Sequence, residues 1–154
     1  MDNEPRPVHL IDRLEPRRVS TPILVVEDDP QLRIMFQLLL EGEGYPVVAA
    51  ADGLEAVRAV RSMRPSLVIL DLELPLLDGR AVAFELRAAY GPSLPIVVVT
   101  ATGQAAEAAD GINPCAYLHK PFDVDGFLTL VWRCLASPSA EGVDTPPNPP
   151  VMPS

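Results

Sequence analysis

Five short apolar runs recur along the chain, and segments with helical periodicity lie between them. The runs cover residues 23–26, 46–49, 67–70, 96–99 and 116–118. Continuous apolar runs of this length, bounded by proline, glycine or acidic residues, are typical of parallel strands covered on both faces. Because strands alternate with helices, the pattern predicts an α/β fold: a right-handed, doubly wound, five-stranded parallel sheet with helices on both faces.

The predicted helices begin at capping residues and end at turn residues. Three starts are predicted at acidic side chains, namely Asp29, which Pro30 follows, Asp52 and Asp123. Residues 80–90 form a further amphipathic segment that Gly91 and a proline terminate. Residues 103–111 are short and alanine-rich, so the helix between the fourth and fifth strands has the weakest pattern.

Composition places one folded domain in the middle of the chain. The 154 residues are 48% hydrophobic, enough for the core of a single domain, which we assign to residues 22–136. Residues 1–21 and 137–154 are rich in charge and proline, and such segments bury too little apolar surface to offset their ordering entropy. Both ends are therefore predicted to be disordered tails.

The charge balance excludes several partners. Twelve basic against 21 acidic residues, a net charge of −9, argue against the basic face that direct nucleic-acid binding requires.

No run reaches the roughly 18 apolar residues of a membrane span, and no apolar leader follows Met1, so we expect a cytoplasmic protein without membrane contact. Cys115 and Cys134 lack metal-site spacing, and in a reducing compartment we expect both to be core thiols.

Chemistry-bearing side chains stand where the predicted strands end. The first strand runs into Glu27 and Asp28, the third into Asp71, the fourth into Thr100 and the fifth into Lys120. All carboxyl ends of a parallel sheet lie on one edge, where open α/β sheets bind ligands. These side chains are therefore predicted to converge. Strand alternation points the residue before the lysine, a histidine, away from the site.

Electrostatics limits what such a cluster holds. Two carboxylates about 4 Å apart repel by roughly 4 kcal/mol at an effective dielectric of 20. Either raised pKa values or a bound cation must relieve this repulsion, and an oxygen-only cluster suits Mg²⁺. Lys120 is the only lysine among twelve basic residues, which indicates a need for a compact point charge.

Five ordered motifs resemble the response-regulator receiver domain of two-component signalling over residues 22–136. They are ILVVEDDP at 23–30, DGLEA at 52–56, DLELP at 71–75 with DG at 78–79, VTA at 99–101 and AYLHKPF at 116–122. The resemblance implies a flavodoxin-like sheet with strand order 2-1-3-4-5. It also implies a phosphoacceptor that takes its phosphoryl group from a histidine kinase or a histidine phosphotransfer protein.

The resemblance assigns roles to seven residues. It implies that Asp71 is phosphorylated and that Mg²⁺ is held by four groups: the side chains of Glu27, Asp28 and Asp71 and the backbone carbonyl of Glu73. It further implies that Thr100 and Lys120 bind the phosphoryl group, that Tyr117 switches together with Thr100, and that Lys120-Pro121 is a cis peptide.

Two departures from the family pattern affect the output. The stretch between Thr100 and Lys120 is shorter than usual, which predicts a short or displaced helix there. No effector domain follows the core, so we expect a stand-alone receiver that signals by contact with an unidentified protein, with a homodimer left open.

Two other functions compete with this interpretation. One is a receiver-like interaction module that never uses Asp71. The other is an aspartate-nucleophile phosphatase, but such enzymes carry a second aspartate two residues after the nucleophile, where this chain has Glu73. We therefore expect no enzyme acting on a separate substrate, only a protein that catalyses its own phosphorylation and dephosphorylation.

Overall fold

A five-stranded parallel sheet forms the centre of the molecule. The computed structural model describes residues 21–74, 77–101 and 111–136. Within these residues, the strand order is β2-β1-β3-β4-β5. The strands are β1 (Ile23–Val26), β2 (Val47–Ala50), β3 (Leu67–Asp71), β4 (Ile96–Thr100) and β5 (Ala116–His119). The predicted α/β class and the order 2-1-3-4-5 are confirmed.

Helices cover both faces of the sheet. They are α1 (Pro30–Gly42), α2 (Gly53–Ala59), α3 (Gly79–Tyr90) and α4 (Val124–Ala136). The predicted caps form: the Asp29 side chain accepts from the Gln31 amide at 3.0 Å, and that of Asp52 accepts from the Glu55 amide at 2.8 Å. None of these helices is long and apolar enough to cross a membrane. The helix expected over residues 103–111 and both predicted tails lie outside the described residues, apart from Gly111 and Thr21.

Alternate strand residues build two separate cores. One core packs against α2 and α3 and contains the buried side chains of Leu24, Val26, Val68, Leu70, Ile96, Val98, Val82 and Leu86. The other packs against α1 and α4 and contains Ile23, Val25, Leu67, Ile69, Val97, Val99, Phe36, Leu40, Phe127 and Val131. Because both faces of β1, β3 and β4 are covered, these three strands need no polar alternation, which explains their continuous apolar runs.

The strand register aligns the carboxyl ends on one edge. Asp71 is the last residue of β3, one residue beyond the predicted strand, and pairs with Val99 of β4. Thr100 pairs with His119 of β5. The buried side chains at this edge include Glu27, Asp71 and Thr100, which are polar residues with at most 1% of their surface exposed.

The expectation of two free core thiols is wrong. Cys115 and Cys134 form a disulfide, with Cα atoms 6.1 Å apart, inside the usual range for such bonds. Cys115 is exposed and lies directly before β5, while Cys134 is buried in the last turn of α4. Packing of α4 beside β5 brings the two residues together, and their sequence separation of 19 does not reveal this proximity.

The side chain of Arg87 in α3 connects three segments of the chain. Its Nε and Nη2 donate to the carbonyl of Ile112 at 3.1 and 3.0 Å, and Nη2 also donates to Asn113 at 2.9 Å. Its Nη1 donates to the carbonyls of Gly91, Pro92 and Leu94. One guanidinium thus joins α3, the turn before β4 and the chain that leads into β5.

Candidate functional site

Three carboxylates meet at the carboxyl edge of the sheet. One oxygen from each of Glu27, Asp28 and Asp71 lies within 4.8 Å of the others. Glu27 and Asp71 are almost fully buried, whereas Asp28 is exposed. The predicted convergence of these side chains is therefore present, and the cluster opens to solvent on the side of Asp28.

Lys120 provides the positive charge beside this cluster. Its Nζ lies 3.3 Å from Asp71 Oδ2 and 3.6 Å from Glu27 Oε1. Burial by itself would lower the pKa of Lys120, but the charges of Asp71 and Glu27 outweigh that effect and raise the pKa. The lysine therefore stays cationic between two carboxylates. Its side chain is 23% exposed, so solvent reaches the cleft.

A single lysine leaves the acidic cluster under-neutralised. Burial, and secondly the charge of Asp71, raise the pKa of Glu27 to about 8. Glu27 Oε1 is buried and has no hydrogen-bond partner among the described residues. A buried carboxylate oxygen that accepts no hydrogen bond from the described residues, with the Lys120 ammonium 3.6 Å away and two other carboxylates beside it, fits a hard divalent cation with oxygen ligands. The residues present are therefore suited to Mg²⁺.

Backbone contacts fix the acidic side chains. The Asp29 amide donates to Glu27 Oε2 at 3.1 Å, and the Glu73 amide donates to Asp71 Oδ1 at 2.9 Å. Arg33, one turn into α1, donates through Nη1 to the Glu27 carbonyl at 2.9 Å and to the carbonyl of the following residue at 3.3 Å. These bonds hold the β1 and β3 ends in a defined orientation.

Gly79 allows α3 to approach the end of β3. A Cβ at this position would lie 2.5 Å from Leu72 Cα and 2.7 Å from the Asp71 carbonyl oxygen. The glycine amide donates to the Leu72 carbonyl at 3.3 Å. Any side chain here would displace the backbone that carries Asp71, which explains the Asp-Gly pair at the start of the helix.

Thr100 faces the side chain of Glu73 across the cleft. Thr100 is fully buried, and its Oγ1 donates to Glu73 Oε2 at 3.1 Å. The amide of Ala101 lies 3.5 Å from Glu73 Oε1. The end of β4 and the loop after β3 are thereby connected at the cleft.

The remaining predicted residues lie further from the carboxylates. Tyr117 is 43% exposed and pairs in register with Val98, two residues before the end of β4. His119 is exposed, as strand alternation predicted. The Lys120-Pro121 peptide is cis, which confirms that prediction.

Sequence reasoning missed two contacts in this region. It assigned only a backbone carbonyl to Glu73, whose side chain also accepts from Thr100. It assigned nothing to Arg33, which lies five residues after Asp28 in the first turns of the helix that Asp29 caps. A long cationic side chain at that position is close enough to reach back to the strand end. The Glu73 contact depends on a rotamer and leaves no signal in the sequence.

The chain belongs to the response regulator receiver domain family, which matches residues 23–131. It is 44% identical over 102 residues to the DNA-binding response regulator MtrA of Mycolicibacterium smegmatis, covering 65% of this chain and 44% of that protein. It is 39% identical over 127 residues to the response regulator MprA of a Mycobacterium species, covering 80% of this chain and 55% of that protein. The chain thus spans about half the length of these curated relatives.

Solved structures share the fold, and two of them contain magnesium. The receiver domain of the sensor histidine kinase PA1611 from Pseudomonas aeruginosa, with a magnesium ion coordinated in its active site cleft, matches with a TM-score of 0.70 and 32% identity. That match covers 77% of this chain and all of the other. The response regulator TrrA from Thermotoga maritima, in complex with Mg²⁺ and BeF, matches with a TM-score of 0.67 and 32% identity, covering 73% and 97%.

Proposed function

We propose that the protein is a phosphoacceptor of a two-component or phosphorelay system that receives a phosphoryl group from a phosphohistidine donor on Asp71. The observation that carries the proposal is the position of the Asp71 carboxylate, buried between Lys120 and two further acids at the open edge of the sheet. Membership of the receiver family supports it.

In the proposed reaction, an Asp71 carboxylate oxygen attacks the phosphorus of the donor phosphohistidine. The new O–P bond forms as the donor's N–P bond breaks. The electron pair of that bond returns to the imidazole nitrogen, which then takes a proton. Asp71 Oδ1 accepts a hydrogen bond from the Glu73 amide, so the attacking oxygen is proposed to be Oδ2. This oxygen lies on the side of Lys120, whose Nζ donates to it at 3.3 Å.

Charge neutralisation makes the transfer feasible. Phosphoryl transfer depends mainly on positioning and on electrostatic stabilisation of the transferred group. Lys120 and the Thr100 hydroxyl are proposed to bind phosphoryl oxygens. The side chains of Glu27, Asp28 and Asp71, with the Glu73 carbonyl, would hold Mg²⁺, which supplies the additional positive charge when bound.

The output is proposed to be contact with another protein in the cytoplasm. The net charge of −9 supports protein partners over direct contact with nucleic acid. MtrA is named a DNA-binding response regulator, but the part of it that matches this chain is under half of its length. A histidine kinase or a histidine phosphotransfer protein is the proposed donor, and another protein is the proposed downstream target.

The proposal is tested by incubating the purified protein with acetyl phosphate and Mg²⁺ and measuring its intact mass. We expect a single phosphoryl adduct that hydroxylamine removes, because an acyl phosphate is an acid anhydride. The adduct should be absent in Asp71→Asn and after metal chelation.

Two results would contradict the proposal. An adduct that persists in Asp71→Asn would place the nucleophile elsewhere. A wild-type protein that forms no adduct with acetyl phosphate, or with a panel of phosphorylated histidine donors, would favour an interaction module that works without phosphorylation.

A further inference from the structure

The side chain of Glu73 lies against two hydrogen-bond donors at the end of β4. Its Oε2 accepts from Thr100 Oγ1 at 3.1 Å, and its Oε1 lies 3.5 Å from the amide nitrogen of Ala101. The two carboxylate oxygens therefore face one hydroxyl and one backbone amide together. Glu73 itself is exposed, so the contact is not enforced by packing.

The same donors face the position where a phosphoryl group would be bound. Under the proposed function, the Thr100 hydroxyl binds a phosphoryl oxygen on Asp71, and the Ala101 amide is the next donor along the chain. A carboxylate offers what a phosphoryl group offers here: two oxygens that carry negative charge and accept charge-assisted hydrogen bonds. Burial lowers the pKa of Lys120, but the charges of Asp71 and Glu27 outweigh this effect and raise the pKa. The charge of Glu73 makes a smaller contribution in the same direction.

We propose that in the unphosphorylated protein the Glu73 carboxylate occupies the phosphoryl-oxygen position on Thr100 and Ala101, and that it must leave before a phosphoryl group binds there. Glu73 is then an internal competitor that opposes phosphorylation of the neighbouring Asp71. This inference rests on the proposed function.

The competition has a geometric basis. The Glu73 amide is held by Asp71 Oδ1 at 2.9 Å, so the backbone of the competitor is tied to the phosphoacceptor itself. Only side-chain rotation is needed to vacate the donors, because the side chain is exposed to solvent. A phosphoryl group on Asp71 would both take the donors and repel the Glu73 charge, which gives two distinct arrangements of the same cleft.

The test compares the affinity of four proteins for beryllofluoride in saturating Mg²⁺, followed by NMR of the Ala101 amide. Glu73→Ala removes the competitor. Glu73→Asp keeps the charge but shortens the side chain by one methylene, so it no longer reaches both donors. Glu43→Ala is the control: it removes an exposed carboxylate at the far end of α1, about 20 Å along the helix from the site.

We expect Glu73→Ala to bind beryllofluoride about threefold or more tightly than wild type, because hydrogen bonds to a charged acceptor no longer have to be replaced. Glu73→Asp should also bind more tightly, and the control should match wild type. Equilibrium binding of this mimic excludes any effect of the substitutions on hydrolysis of the acyl phosphate. Before the mimic is added, the Ala101 amide resonance should already differ between wild type and Glu73→Ala.

Several results would overturn the inference. If Glu73→Asp behaves as wild type while Glu73→Ala binds more tightly, charge alone acts and the donors are not occupied. Equal affinities in all four proteins, with normal phosphorylation of Asp71 by acetyl phosphate, would refute the competition and leave the proposed function standing. If wild type and variants alike neither bind the mimic nor become phosphorylated, the proposed function fails and the inference fails with it.

Discussion

Glu27 shows how a residue's surroundings determine its chemistry. The carboxyl group is almost fully buried, lies beside Asp71 and has one oxygen without a hydrogen-bond partner among the described residues. Burial, then the neighbouring negative charge, raise its pKa to about 8 from a usual value of 4.5. Between pH 4.5 and about 8, Glu27 is therefore protonated in the folded protein and ionised in the unfolded chain.

This shift makes stability depend on pH with a defined sign. The contribution of Glu27 is fully present below pH 4.5 and is lost as the pH rises through about 8, because the folded state holds the proton more tightly. In metal-free buffer, the free energy of unfolding of wild type relative to Glu27→Gln should therefore fall as the pH rises from 5 to about 8.5. Urea unfolding at each pH measures this difference, and titrating groups that do not interact with Glu27 cancel in it.

Mg²⁺ should oppose the loss of stability. A metal requires the deprotonated carboxylate, so protons compete with it at low pH. We expect Mg²⁺ to raise the unfolding midpoint of wild type more at pH 8 than at pH 5, and to have little effect on Glu27→Gln. A stabilisation by Mg²⁺ that is the same at both pH values would contradict the assignment.

The positions of the acids and of Lys120 could be predicted because they depend only on strand ends. Once the apolar runs are read as parallel strands, the residue after each run must lie on one edge of the sheet. The Glu73 side chain escaped prediction because its contact depends on the rotamer chosen in the loop after β3. The pKa of Glu27 also depends on how deeply the cluster is buried, and burial depth is a property of packing.

At the scale of elements, Arg87 donates hydrogen bonds to carbonyl groups that lie outside the helices and strands. Its guanidinium donates to five carbonyl groups in two segments that flank β4. The carbonyls of Leu94 and Ile112 belong to buried residues, those of Pro92 and Asn113 belong to exposed residues, and that of Gly91 also accepts from the Leu94 amide. A buried carbonyl that loses its donor costs about 1–3 kcal/mol, whereas water can replace the donor at an exposed one. The arginine therefore holds the chain that enters β5 against α3, directly after residues 102–110.

We predict that Arg87→Ala lowers the free energy of unfolding by about 2–4 kcal/mol, since several carbonyls lose their donor together. Arg87→Lys should lie in between, because an ammonium cannot reproduce the planar fork. Urea denaturation measures both variants. Arg61→Ala, at an exposed site beside α2, is the matched control, and an Arg87→Ala protein as stable as this control would contradict the role.

A second prediction concerns the coupling between β4 and β5. Thr100 closes β4, and Tyr117 lies on the adjacent edge strand with 43% of its surface exposed. If phosphorylation draws Thr100 toward Asp71, the space behind the threonine opens and Tyr117 turns inward. The ring and backbone NMR signals of Tyr117 should then shift when beryllofluoride and Mg²⁺ are added.

Asp71→Asn is the control for this coupling, since it should leave Tyr117 unchanged under the same conditions. Site resonances that shift while those of Tyr117 stay in place would show that the two positions are independent. The NMR shifts test a change of population between two packings.

Helix and strand boundaries were predictable to within a residue or two where capping side chains mark them. Asp29 and Asp52 form the caps that their positions indicated, and β1 has the predicted bounds. The extension of β3 to Asp71 arises from pairing with Val99, a long-range contact. The role of Arg87 could not be predicted for the same reason, because its acceptors lie up to 26 residues away.

For the whole molecule, the disulfide between Cys115 and Cys134 is the main departure from expectation. It ties the entry of β5 to the end of α4 across a sequence separation of 19. In the chain-entropy model, closing a loop of that length lowers the conformational entropy of the unfolded chain. This raises the free energy of the unfolded state by about 3 kcal/mol. The bond should therefore stabilise the domain as a whole.

We expect a two-electron phosphine reductant to lower the free energy of unfolding by about 3 kcal/mol. The Cys115→Ser, Cys134→Ala double variant should resemble the reduced wild type and should not respond to the reductant. Chemical denaturation with and without reductant makes the comparison. Identical midpoints for oxidised and reduced wild type would show that the bond contributes nothing to stability.

The composition of the chain has a practical consequence at the cleft. Lys120 is the only lysine in 154 residues, so reductive methylation with carbon-13 formaldehyde would label one ε-amine and the α-amine of the chain. The two labels separate by titration, because an α-amine has a pKa near 8 and a lysine one above 10. Methylation keeps the positive charge. The ammonium that faces Asp71 can thus be followed as one resonance, in a chain without substitutions, while a phosphodonor is added.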